Sequence, residues 1–101
     1  MMRTRGAEQI SVEAATAQTL MLTVRYFAAA RAAAGTETET VQTASGTTVS
    51  ALVEALAERG PELARVLRRC SFLCDGVAVR DQTAELTNGQ IIDVLPPFAG
   101  G

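Results

Sequence analysis

The chain has no histidine, no lysine and no tryptophan, and its only cysteines are Cys70 and Cys74. A closed structural zinc site normally needs four nitrogen or sulfur ligands, so this pair alone is too small for one. Two cysteines in such a sequence are more often small buried apolar side chains. We therefore predict no metal site. All nine basic residues are arginines, which leaves the chain without a side-chain amine.

The sequence also lacks a strong excess of charge and a long apolar run. Nine basic and 11 acidic residues give a net charge of −2, and this balance does not indicate binding to nucleic acid or to an anionic membrane. Nothing resembles a secretory signal or a membrane span of roughly 20 apolar residues. We expect a cytoplasmic protein without nucleic-acid or membrane partners. Its 101 residues, 48% of them hydrophobic, suit one globular domain with a modest core.

Residues 1–19 show no sustained periodicity and are predicted to be a disordered extension. From Leu20 to Phe27 the sequence alternates, which predicts a strand buried on one side. The predicted core face carries Leu20, Leu22, Val24 and Tyr26. Phe27 falls on the other face beside Arg25, where the core does not require an aromatic residue. Phe27 either belongs to a partner surface or folds under the following turn.

The middle of the chain predicts three helices and a strand. Residues 28–34 are rich in alanine and suit a short helix that ends at Gly35, and residues 38–43 suit a second strand that returns along the first. Apolar residues at helical spacing predict the main helix, with Thr48 as its N-cap and Gly60 at its end. They are Val49, Leu52, Val53 and Leu56. Pro61 can start a further short helix, whose apolar face would be Leu63, Val66 and Leu67.

The last part of the domain predicts three strands. Residues 70–73 and 77–79 flank the turn dipeptide Asp75-Gly76, residues 80–86 read as an irregular connection, and residues 91–95 form an apolar closing strand. On that closing strand Ile92 and Val94 share one face, and Leu95 falls with Asp93 on the other. The whole order predicts an α+β domain over residues 20–95, with a mixed sheet of about five strands packed on one main helix.

Residues 96–101 form a C-terminal tail, Pro96-Pro97-Phe98-Ala99-Gly100-Gly101. Proline cannot donate a ladder hydrogen bond, so the two prolines force the chain out of the sheet. Glycine lacks a Cβ atom, so Gly100-Gly101 could lie in a narrow channel with little obstruction of the terminal carbonyl. Taken alone, the dipeptide is equally consistent with a frayed terminus.

Two segments together carry a resemblance to a known family. They are the opening Val24-Arg25-Tyr26-Phe27-Ala28-Ala29-Ala30-Arg31 and the closing Ile92-Asp93-Val94-Leu95-Pro96-Pro97-Phe98-Ala99-Gly100-Gly101. The chain resembles the β-grasp, ubiquitin-like sulfur carriers in these two segments. The resemblance also includes Gly35, the helix from Thr48 and the Asp75-Gly76 turn. Within that family it is similar to the small subunits of molybdopterin synthase. The resemblance covers residues 20–101 and leaves the N-terminal extension outside.

The resemblance implies that Gly101 is the reactive residue. An E1-like ATP-dependent enzyme would convert its carboxylate to an acyl-adenylate, and a sulfur-donating enzyme would then convert it to a thiocarboxylate. In a heterotetramer with the large synthase subunit, that sulfur would reach the cyclic pyranopterin precursor of molybdopterin. The chain would bind no cofactor and would supply no catalytic acid, base or metal. The alternatives are a related carrier for thiamine or cysteine synthesis, and a ubiquitin-type modifier or binding module.

The same reading predicts a docking surface for the large subunit. Phe27 and Leu95, with Val77 or Ala78 and with Phe98, are expected to form an apolar patch beside the tail. Arg25 and Arg31 are expected to be solvated or paired with acidic neighbours at its polar rim.

Overall fold

The computed structural model describes residues 19–97 as one mixed sheet and three helices. The elements in chain order are β1 (Thr19–Tyr26), α1 (Ala28–Ala34), β2 (Thr38–Ala44), α2 (Val49–Ala57), α3 (Pro61–Leu67), β3 (Ser71–Cys74), β4 (Val77–Ala78) and β5 (Ile91–Leu95). This order is the one predicted from the sequence. The predicted N-terminal extension, apart from Thr19, and the tail from Phe98 onward lie outside the described residues.

The five strands lie in the order β2-β1-β5-β3-β4. The central pair, β1 and β5, is parallel, and every other neighbouring pair is antiparallel. Tyr26 at the end of β1 pairs with Val94, and Ser71 at the start of β3 pairs with Leu95. The C-terminal ends of β1 and β5 and the first residue of β3 therefore meet at one end of the sheet.

One face of the sheet is covered by the helices, and we call it the covered face. The alternation predicted for β1 is confirmed, because its four inward residues are at most 8% exposed. The buried hydrophobic core comprises Leu20, Leu22, Val24, Tyr26, Ala30, Val49, Leu52, Leu56, Leu63, Leu67, Phe72, Leu86, Ile92 and Val94. In β1 and β5 every second residue belongs to this core, so the residues between them lie on the opposite face, which no helix within residues 19–97 covers. We call that second face the open face.

The cap of α2 follows the prediction at its start but not at its end. The Thr48 hydroxyl accepts a hydrogen bond from the Ala51 N–H at 3.1 Å. The helix ends at Ala57, and Glu58 closes it by donating its N–H to the Glu54 carbonyl at 3.2 Å. Gly60 therefore does not end α2. It is the N-cap of α3, because its carbonyl accepts the Ala64 N–H at 3.0 Å and the following proline begins the new helix.

The remaining differences concern where strands begin and end. β1 starts one residue early, at Thr19, and ends at Tyr26 because Phe27 is already the N-cap of α1. β3 starts at Ser71 because the Cys70 N–H still bonds to the Leu67 carbonyl at the end of α3. Within residues 19–97, no helix is long and apolar enough to cross a membrane.

Candidate functional site

The tail leaves the sheet where β1, β3 and β5 meet. The Phe27 N–H donates to the Val94 carbonyl at 3.2 Å, so the residue after β1 is hydrogen-bonded to the next-to-last residue of β5. Beyond Leu95, Pro96 is half-buried and Pro97 is exposed. Neither proline has an N–H, so the pairing with the neighbouring strands cannot continue. The pairing of β5 therefore ends at Leu95, at this end of the sheet.

The strand register decides which of the predicted surface residues share a face. Cross-strand partners point to the same side of a sheet. Leu95 pairs with Ser71, and Asp93 pairs with Leu73, which itself pairs with Ala78. Leu95 and Ala78 thus both lie on the open face.

Val77 lies on the other side of the sheet. It pairs with Cys74, which pairs with the core residue Ile92, so Val77 projects on the side of the covered face at the sheet edge. It is 69% exposed there because β4 is the edge strand. Of the two β4 residues offered for the apolar patch, only Ala78 shares a face with Leu95.

An ion pair between the exposed Arg25 and the buried Asp93 lies on the open face next to Phe27. The Arg25 guanidinium donates from Nε to Asp93 Oδ1 at 2.6 Å and from Nη2 to Asp93 Oδ2 at 2.9 Å. The Asp93 side chain is 7% exposed, so this two-point contact satisfies a carboxylate that water hardly reaches. The hydrogen bond to Asp93, and then the negative charge of Asp93, raise the pKa of Arg25 above its ordinary value. The expectation that Arg25 pairs with an acidic neighbour is confirmed.

The same guanidinium also contacts Phe27. The Arg25 Cζ atom lies 5.9 Å from the centre of the Phe27 ring, within the range of a cation–π contact. Phe27 is 40% exposed, so it has not folded under the turn into the core. Arg31 lies further along α1 and donates to Glu37 at 3.3 Å.

The backbone after Phe27 is strained. Ala28 has a φ of 51°, in the left-handed region that alanine rarely adopts and that costs roughly 1 kcal/mol. This turn starts α1 immediately after β1, and Gly35 closes the helix with a φ of 78° and a bond from its N–H to the Arg31 carbonyl at 2.9 Å. Because α1 begins so abruptly, Phe27 stays at the end of the sheet beside the exit of the tail.

A second polar cluster, on the covered face, had no signal in the sequence. The buried Tyr26 hydroxyl donates to Glu39 Oε2 at 2.6 Å, and Arg59 Nη1 donates to Glu39 Oε1 at 2.6 Å. Burial by itself opposes ionisation of Glu39, but the hydrogen bonds from Arg59 and Tyr26 and the Arg59 charge lower its pKa overall. Burial, and then the hydrogen bond to Glu39, raise the pKa of Tyr26. The cluster joins three segments that are far apart in sequence, so only the fold reveals it.

The two cysteines are free and half-buried against the core. The Cys70 thiol donates to the Val66 carbonyl at 3.3 Å, and burial raises its pKa to about 11. Burial, and then the Asp75 charge, raise the pKa of Cys74. Both thiols are therefore protonated at neutral pH, which makes them poor nucleophiles. Among the described residues, no group of three or more histidine, cysteine or acidic side chains could hold a metal ion.

The predicted reactive part of the tail, Phe98, Ala99, Gly100 and Gly101, lies outside the described residues. What the structure places is its base. A five-stranded mixed sheet with a central parallel pair, helices on one face and a C-terminal strand in the middle defines a domain of the ubiquitin-like β-grasp class. The chain belongs to the ThiS family, whose model matches residues 24–101.

Comparison with known proteins gives both a sequence relative and solved structures. The chain is 30% identical over 83 residues to a molybdopterin synthase sulfur carrier subunit from Chlamydomonas reinhardtii, which covers 81% of this chain and all of that protein. Its fold is similar to the crystal structure of SAMP1 from Haloferax volcanii, with a TM-score of 0.70 and 25% identity over 80% of this chain and 99% of that one.

A further solved structure is a protein–protein complex of subunits 1 and 2 of molybdopterin-converting factor from Helicobacter pylori. The matching chain has a TM-score of 0.62 and 22% identity, and the match covers 81% of this chain and all of that one. At this identity the likeness concerns the fold alone. The β-grasp fold inferred from the sequence is confirmed.

Proposed function

We propose that this chain is the sulfur-carrying small subunit of a molybdopterin synthase, and that Gly101 carries the sulfur as a C-terminal thiocarboxylate. The observation that carries the proposal is the extent of the family match, which runs through the last strand and both prolines to the final glycine. The relative from Chlamydomonas is itself named a sulfur carrier subunit and is matched over its whole length.

The proposed chemistry requires no catalytic side chain from the folded domain. An ATP-dependent activating enzyme joins the Gly101 carboxylate to AMP and releases pyrophosphate. Hydrosulfide supplied by a sulfur-donating enzyme then attacks the carbonyl carbon. The C–S bond forms as the C–O bond to AMP breaks, AMP leaves, and no change of oxidation state is required. Gly101 has no side chain, so its carbonyl carbon is open to the attacking sulfur. The activating and accepting proteins supply the catalytic groups.

The cysteines of this chain are poorly suited to carry the sulfur themselves. Both thiols are half-buried, and burial raises the pKa of Cys70 to about 11, so the thiolate needed to accept sulfur is scarce at neutral pH. The terminal carboxylate of Gly101 can be activated without ionisation of a half-buried thiol. This difference supports the assignment of the sulfur to Gly101.

The partner surface fits the same assignment. Phe27 is exposed next to the exit of the tail, and Leu95 and Ala78 share the open face with the Arg25–Asp93 pair. A large subunit that receives the tail would cover this end of the sheet. A complex of two subunits is recorded for the fold neighbour from Helicobacter pylori.

The decisive measurement is the intact mass of the protein isolated from its own cells, together with sulfur transfer in a reconstituted synthase. We expect a mass shift that corresponds to one oxygen replaced by sulfur at the C-terminus. One alanine added after Gly101, or Gly100→Trp, should abolish transfer of sulfur without changing the thermal melting of the domain. Addition of an alanine before Met1 is the matched control and should transfer normally. Full product from the C-terminally extended protein would refute the role of the tail.

A second function has one observation in its favour, the likeness to the archaeal modifier SAMP1. A modifier would form isopeptide bonds from Gly101 to lysines of other proteins. Mass spectrometry of cell extracts would reveal such conjugates. Conjugates without a thiocarboxylate would favour the modifier, and a thiocarboxylate without conjugates would favour the sulfur carrier. Reconstitution with thiamine or cysteine synthesis partners tests the related carriers in the same way.

A further inference from the structure

Two exposed arginines, Arg68 and Arg69, lie near the exit of the tail. Arg68 is the C-cap of α3, and Arg69 follows it, with its N–H donating to the Val66 carbonyl at 3.0 Å. Both side chains are exposed. Within residues 19–97 neither forms an ion pair, whereas Arg65 on the same helix is paired with Glu62 at 2.9 Å.

The register fixes how close these arginines are to the tail. Arg69 is two residues before Ser71, and Ser71 pairs with Leu95. Two residues of chain and one strand spacing place the Arg69 Cα within about 13 Å of the Leu95 Cα. Arg68 and Arg69 are therefore positive charges at the base of the tail.

The opposite end of the sheet carries the opposite charge. The Asp75 N–H bonds to the Ile91 carbonyl at 2.8 Å, which places Asp75 at the start of β5, four residues before its end. A groove of about 630 Å³ at this end is lined by Asp75, Asp81 and Glu85 among its charged residues, with Arg80 as the one cation. The described domain is thus basic at the exit of the tail and acidic at the far end, although the whole chain has a net charge of −2.

The length of the tail limits what the two arginines can contact. Six fully extended residues, 96–101, span at most about 20 Å. When the tail is extended into a partner's channel, Arg68 and Arg69 remain near the mouth of that channel and away from the reacting carbonyl. Their contact is with the surface of the receiving protein.

We infer that Arg68 and Arg69 form a basic docking rim that pairs with carboxylates around the mouth of the tail channel in the large synthase subunit. The inference rests on the proposed function and adds a recognition role outside the apolar patch. A basic end facing an acidic mouth, with the acidic end of the domain pointing away, orients the carrier before contact. Such steering acts mainly on the association rate and weakens with salt.

The test measures the association rate constant between the full chain and the large subunit from the same cells, by stopped flow at low and high salt. R68Q/R69Q should associate about tenfold more slowly at low salt and should lose most of the salt dependence. R69Q and R80Q form a matched pair, because each removes one exposed charge, at the basic and at the acidic end respectively. R69Q should slow association by roughly threefold, and R80Q should not slow it. R68K/R69K keeps both charges and should associate at nearly the native rate.

Equal rates for R69Q and R80Q, or slow association of R68K/R69K, would overturn the charged rim while leaving the proposed function intact. Failure of the native chain to bind the large subunit, or to transfer sulfur to it, would instead overturn the proposed function and the rim together. Thermal melting of each variant shows whether its fold is retained. The exposure of all three arginines predicts no change in melting.

Discussion

The two faces of the sheet are built from neighbouring residues and serve different purposes. On the covered face Leu22, Val24, Ile92 and Val94 are at most 1% exposed. On the open face Met21 is 47% exposed and Ile91 is 37% exposed. The charged residue Asp93 on the same face is 5% exposed. The covered face therefore stabilises the fold, and the open face offers apolar and charged groups to a partner. Substitutions that separate stability from binding test this division.

The largest expected loss of stability comes from the covered face. Leu22→Ala removes a fully buried side chain and should lower the free energy of unfolding by about 2–5 kcal/mol. Met21→Ala, one residue earlier on the open face, should change it by less than about 0.5 kcal/mol. Urea titrations followed by circular dichroism measure both. Similar losses for the two variants would contradict the division between the faces.

The largest expected loss of binding comes from the end of the open face. Phe27→Ala should weaken binding to the large subunit by more than about 1 kcal/mol, because it removes an exposed aromatic side chain from the proposed interface, with little change in melting. Isothermal titration calorimetry of the native and variant proteins gives the difference. Met21→Ala is the control, since Met21 lies at the other end of the same face. Native affinity of the Phe27→Ala variant would contradict a role for Phe27 in the interface.

Low pH should lower the free energy of unfolding through protonation of Glu39. The folded protein holds the pKa of Glu39 below 4.5, so the unfolded chain binds a proton more readily. The stability from this ionised carboxylate is complete above about pH 4.5 and is lost as the pH falls through the lower folded pKa. Glu39→Gln should cost about 1 kcal/mol at pH 7 and less at pH 3. Unfolding titrations at both values check this, and an equal cost at the two pH values would contradict it.

The smallest effect is expected from the cysteines. Cys70→Ser and Cys74→Ala together should leave transfer of sulfur unchanged, because neither half-buried thiol takes part in the proposed chemistry. Alkylation of native Cys70 by iodoacetamide should be slow at pH 7 and should accelerate toward about pH 11, where the thiol ionises. Loss of transfer in the double variant, with melting unchanged, would indicate that a cysteine carries the sulfur.

Much of the fold followed from local patterns. The period of two in β1 predicted which residues are buried, and the helical spacing from Val49 predicted α2 with Thr48 as its cap. These predictions succeeded because backbone geometry fixes the side of each residue within its own element. The prediction that Gly60 ends α2 was wrong, because Pro61 begins α3 and Gly60 is the N-cap of that helix.

The parts of the site that the sequence did not predict depend on contacts between residues far apart in the chain. The sequence alone determined that Arg25 and Phe27 share a face, that Leu95 falls with Asp93, and that the two prolines end the sheet before Gly100-Gly101. Only the tertiary structure decided that Arg25 reaches Asp93, that Ala78 rather than Val77 shares a face with Leu95, and that Arg68 and Arg69 lie at the base of the tail. Each of these outcomes rests on strand pairing between segments tens of residues apart. Periodicity reports the face of a residue, whereas register decides its neighbours.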